Sequence, residues 1–162
     1  MRALYAKHGA TAVFFEVGRV SSKGGHAHIQ AVPVPLSLEN RVESAFRDEG
    51  KLHGIEFDAE DAGAPIHDGG EGYFRVELPS GRRLVHQMRR GLPFSVQFGR
   101  YAAKSSVFCL VMAHIPFSRK VLASLMKVEE RIDWKNCLQS EAADKADVEA
   151  FKTAFAPFDP SC

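Results

Sequence analysis

The stretch Gly25-His26-Ala27-His28-Ile29-Gln30-Ala31-Val32-Pro33-Val34-Pro35 alternates polar and apolar residues with a period of two. That period belongs to a β-strand, whose successive side chains point to opposite faces. As a strand it puts His26, His28 and Gln30 on one face and Ala27, Ile29 and Ala31 on the other. The apolar set is expected to pack on a core, with Ile29 as its largest member. Upstream, Ala12-Val13-Phe14-Phe15-Glu16-Val17 is β-branched and aromatic and lies between Gly9 and Gly18, which predicts a second strand. Pro33 and Pro35 are expected to end the ladder, because proline has no N–H to donate.

Two imidazoles and a carboxamide in a row suit phosphate chemistry. An imidazole can attack phosphorus, a neighbouring His can orient it or move a proton, and a Gln carboxamide can bond a phosphate oxygen without adding charge. The same alternation also fits a strand that merely turns a polar face to water. Spacing alone leaves both readings open.

The rest of the chain predicts an α+β fold. Residues 1–9 read as the end of a helix running into Gly9. The basic, glycine-rich stretch 18–25 matches neither the P-loop nor the dinucleotide fingerprint and reads as a hairpin connection. Ser37 is a good N-cap for a helix running to about Glu49, with Leu38, Val42, Ala45 and Phe46 at helical spacing and Gly50 as its stop. Residues 51–72 are acidic and glycine-rich, which predicts a linker. His53, His67 and Asp68 in this region match no metal-ligand spacing, so no metal is expected.

Residues 73–78 and 82–88 alternate around Pro79-Ser80-Gly81, the pattern of a β-hairpin. Arg82, Arg83, His86, Arg89, Arg90 and Arg100 form the one basic concentration in the chain, interleaved with Tyr73, Phe94 and Phe98. That mixture suits either an RNA-binding groove or a solvated hairpin with buried aromatics. Val121 to about Glu130 predicts a helix, and Trp134 anchors a turn. Ser140 opens a final helix to about Phe155, whose Phe151 and Phe155, with Phe158, are expected to dock on the sheet.

Net charge is +1, so no global field argues for nucleic acid or a membrane, and any RNA contact must be local. The three cysteines show no paired spacing, which points to a reducing compartment and away from a disulfide framework.

His26-x-His28-x-Gln30 resembles the histidine-triad (HIT) signature in its His-x-His-x-Gln form. With Phe14-Phe15-Glu16 and the run to Pro35, it is similar to the C-terminal region of the CwfJ family of spliceosome-associated proteins. Tyr73–Pro79, Gln97–Arg100, Asp133–Cys137 and Phe151–Pro160 extend the resemblance in the same order. Tyr101 to Lys120 interrupts it with an apolar run at Val107–Ala113, which reads as a lineage-specific strand or as an intron translated in frame.

The resemblance implies a HIT-like half-module of antiparallel strands and helices over 1–50, the linker 51–72, and a CwfJ-type C-terminal portion over 73–162 with an atypical insert at 101–120. It also implies that several strands and most of a helix belong upstream of Met1. For function it implies a nuclear accessory role in pre-mRNA splicing and intron-lariat turnover. The implied partners are spliceosomal or lariat RNA, splicing proteins and a lariat debranching enzyme, with a homodimer as a further option and no membrane or cofactor. The alternative it carries is a HIT-type nucleotidyl hydrolase or transferase, with His28 as nucleophile, His26 supporting it and Gln30 on phosphate.

Overall fold

The computed structural model describes residues 1–18, 29–60, 73–87 and 108–160. It shows the α+β class: a five-stranded antiparallel sheet in the order β2-β1-β4-β5-β3 with four α-helices. The strands are β1 (Ala10–Gly18), β2 (Ile29–Pro35), β3 (Asp58–Glu60), β4 (Tyr73–Glu77) and β5 (Arg83–Gln87). The helices are α1 (Arg2–Lys7), α2 (Val42–Leu52), α3 (Phe108–Met126) and α4 (Glu141–Phe155).

α1 stops as expected at Gly9, whose φ of 70° turns the chain into β1. Arg2 ties the helix to the sheet. Its guanidinium donates to Glu77 Oε1 at 2.6 Å and lies 5.0 Å from the centre of the Phe14 ring.

The register sorts the sheet into two faces. Val13, Phe15, Val32, Val34, Phe74, Val76 and Leu84 share one, and all but the half-buried Val32 are buried. Phe46 of α2 and Phe117, Val121, Leu122 and Leu125 of α3 join them in a single core. The opposite face carries Ala12, Phe14, Glu16, Tyr73, Arg75 and Arg83.

β2 ends at Pro35 as expected, but it runs through Pro33, opposite Ala12. It can do so because β2 is an edge strand, where a missing N–H can face outward at no cost to the ladder.

The helix expected from Ser37 is also rearranged. Leu36–Arg41 is a 3-10 turn containing Ser37, and α2 begins at Val42 without a side-chain cap. Its predicted apolar stripe is correct: Val42 and Phe46 are fully buried, with Leu38 and Ala45 packed alongside. Gly50 lies inside the helix instead of ending it. A Cβ there would stand 2.8 Å from the Ile55 carbonyl oxygen and 2.9 Å from the Phe57 ring, so this glycine permits a close approach. The stop is Gly54, at φ 68°. Ile55 N–H donates to Gly50 O at 2.8 Å and Gly54 N–H to Lys51 O at 3.3 Å, the paired bonds of a Schellman end.

The acidic stretch after α2 is structured where it is described. Ile55 is buried and Asp58–Glu60 pairs with β5. Residues 61–72, with His67 and Asp68, lie outside the described residues. The hairpin forms as predicted. Leu78 N–H donates to Arg82 O at 2.8 Å, and Gly81 takes φ 86°.

The helix expected from Val121 starts far earlier, at Phe108, and ends at Met126 before Lys127 at φ 59°. The described part of the insert is therefore helix and not strand. An apolar run cannot be told from a buried helix by periodicity alone. Ser140 caps α4 as predicted, its Oγ accepting from Ala143 N–H at 3.3 Å. The docking of α4 is not as expected: none of its residues is buried, and Phe151 is 46% exposed. Among the described residues no helix is long and apolar enough to cross a membrane.

Candidate functional site

His26 and His28 lie outside the described residues; Gln30 is in β2, opposite Phe15. Gln30 belongs with Val32 and Val34, the set that faces the helices. Ile29, expected in the core, is 61% exposed and pairs with Glu16. The reason is parity. Val34 is fully buried and Val32 lies opposite Val13, so the even-numbered residues of β2 are held on the core side. Ile29, Ala31 and Pro33 then fall on the other face of an edge strand, where little covers them.

A polar cluster that sequence spacing did not reveal stands beside that exposed isoleucine. Glu16 is 6% exposed, and both carboxylate oxygens accept bonds. Tyr73 O–H donates to Oε1 at 2.5 Å, and Arg75 Nη2 donates to Oε2 at 2.8 Å. The register brings them together, with Glu16 opposite Arg75 and Gly18 opposite Tyr73. Gly18 has to lack a side chain, since a Cβ there would sit 2.2 Å from the Tyr73 ring. Alternation in 73–77 already places Tyr73 and Arg75 on one face. The missing information was which strand lies next to them.

The described members of the basic set lie apart. Arg82 follows the turn and pairs with Glu43 at 3.2 Å. Arg83 is 5% exposed and belongs to the Glu16 face, opposite Glu77. His86 lies on the other face, where its Nδ1–H donates to the Glu56 carbonyl at 2.8 Å and its ring meets Phe57. Arg83 and His86 therefore lie on opposite faces of the sheet. Counting cations ignored the alternation, which separates positions 83 and 86. Arg89, Arg90 and Arg100 lie outside the described residues.

A second unforeseen cluster joins α2 to α3. Glu49 Oε1 accepts from Lys120 Nζ and is bonded to His53 Nε2 at 2.9 Å, while the His53 ring meets Phe117 edge-on. Burial alone would raise the Glu49 carboxyl above its usual value. The bonds and charges of Lys120 and His53 outweigh that and hold it below. Lys120 belongs to the stretch 101–120 that interrupts the family resemblance, so this part of the insert is bound into the fold.

Comparison with known proteins matches residues 61–160 to a family model described as "Protein similar to CwfJ C-terminus 2". The chain is 33% identical to the CWF19-like protein mug161 of Schizosaccharomyces pombe, over 96% of this chain and 23% of that protein. It is 32% identical to zinc finger CCCH domain-containing protein 64 of Arabidopsis thaliana, over 99% of this chain and 25% of that one. Against CWF19-like protein 1 of Homo sapiens the identity is 26%, over 98% and 26% respectively. An α+β sheet protein matched by this model over most of its length belongs to the CwfJ C-terminal family. The chain spans about a quarter of the length of these relatives.

Proposed function

We propose that this chain is an accessory domain of a nuclear pre-mRNA splicing protein, acting at late spliceosomes and in intron-lariat turnover. It would hold RNA or ribonucleoprotein surfaces and assist debranching without carrying out the bond-breaking step. Membership of the CwfJ family carries this reading. The implied partners are spliceosomal or lariat RNA, splicing proteins and a debranching enzyme. With Arg83 buried and His86 on the far face, RNA contact falls to Arg89, Arg90 and Arg100, joined by Arg82 when it leaves Glu43. Titration of labelled single-stranded RNA at two salt concentrations tests this. Three arginines on phosphates give a slope of about −2 in log affinity against log salt. Salt-indifferent binding, or binding that survives Arg89→Ala with Arg90→Ala, overturns the arginine assignment.

The second reading is a HIT-type nucleotidyl hydrolase or transferase with His28 as nucleophile, supported by His26 and Gln30. Its support is the motif and the placement of Gln30 in a strand; the exposed Ile29 counts against it. A nucleophilic imidazole works only when aimed in line at phosphorus among donors for the developing charge. The expected result with adenosine phosphoramidate is very slow turnover or none. Turnover of about one per second or faster, abolished by His28→Ala, would make the enzyme the better reading.

A further inference from the structure

We propose that α4 is a docking helix whose exposed face takes a basic amphipathic helix of a partner protein. An isolated helix of this length is marginal in water, and most helices persist because one face is buried. α4 buries no residue. It is held by local devices instead: the Ser140 cap, five alanines, and ion pairs of Lys145 with Glu141 and Lys152 with Glu149. Val148, Phe151 and Phe155 fall at i, i+3 and i+7, on one side of the helix. Val148 and Phe151 are both about half exposed, and the Phe151 and Phe155 rings stack with centroids 5.7 Å apart. Leu138, just before the helix, is 68% exposed. A helix stabilised on its own, with an exposed valine and an exposed phenylalanine stacked on a second ring, is suited to present them.

Charge decides what it presents them to. A stacked pair with one exposed ring could serve as a platform for bases, but base platforms work together with cations that hold the backbone. α4 carries four carboxylates and two lysines, and both lysines are paired within the helix. Asp144 lies one turn before Val148, and Asp147 one turn before Phe151, so the apolar stripe runs into carboxylates at its N-terminal end. Phosphates would be repelled there. An apolar stripe ending in lysine or arginine complements both halves of the face.

The test uses the full chain and two synthetic helical peptides with the same leucine stripe, one flanked by lysines and one by glutamates. Fluorescence anisotropy should show the lysine peptide binding at least ten times more tightly. Phe151→Ala with Phe155→Ala should weaken it at least tenfold, with helix content by circular dichroism unchanged. Asp144→Asn with Asp147→Asn should remove the preference between the two peptides. Equal binding of both peptides, no binding, or indifference to the phenylalanine variant overturns the proposal. Single-stranded RNA binding lost in that variant would assign the face to RNA. Dimerisation in sedimentation velocity lost in that variant would assign it to a second copy. Either outcome overturns the basic-helix partner.

Discussion

Phe117→Ala is expected to lower the stability of this chain by about 3–5 kcal/mol, the range for truncating a fully buried aromatic. Phe117 is 2% exposed, and its ring lies 6.1 Å from Phe46, 6.0 Å from Phe74 and 6.4 Å from Phe57. It is the point where α2, α3 and the sheet meet, and α3 cannot shift to fill the space without dragging Lys120 away from Glu49. Typical domains have only about 5–15 kcal/mol in total, so the loss should be plain in a urea titration as a lower midpoint. The same experiment tests whether the stretch that interrupts the family resemblance is part of the fold. If residues 101–120 were a foreign insertion lying outside the core, Phe117→Ala would behave like an ordinary surface change, within about 0.5 kcal/mol. Phe151→Ala supplies the control, because its exposed side chain should give only such a small change.

What was legible in the sequence was local. β1 follows from β-branched and aromatic residues between two glycines, the β4–β5 hairpin from alternation around a Pro-Ser-Gly turn, and the Ser140 cap from one residue and its neighbours. What was not legible depends on partners. The alternation of β2 is real, but which parity meets the helices depends on Val32 lying opposite Val13, a fact of register. Gly50 looked like a stop because an approach by Ile55 and Phe57 leaves no mark in the local pattern. Phe151 looked like core because the same spacing serves a buried stripe and an exposed one. For the candidate site, Gln30 is placed on its strand, while proximity in sequence does not reveal that Arg83 and His86 lie on different faces.

Arg75→Ala is expected to cost about 3–5 kcal/mol, as does the loss of one member of a buried ion pair elsewhere. The argument is an asymmetry between the two partners. Glu16 is 6% exposed, so without Arg75 it keeps, among the described residues, only the Tyr73 hydroxyl for a carboxylate. The Arg75 side chain is 18% exposed, so after Glu16→Gln its guanidinium can turn partly to solvent, while the new carboxamide oxygen still accepts one bond. Glu16→Gln should therefore cost less, about 1–2 kcal/mol. Combining Arg75→Ala with Glu16→Gln removes the buried charge together with its partner, and the double variant should be more stable than Arg75→Ala alone. Denaturation midpoints of the three variants measure this directly as a double-mutant cycle. A double variant at or below Arg75→Ala would show that Arg75 acts through the packing of its aliphatic stem against the sheet, and that the uncompensated Glu16 charge contributes little.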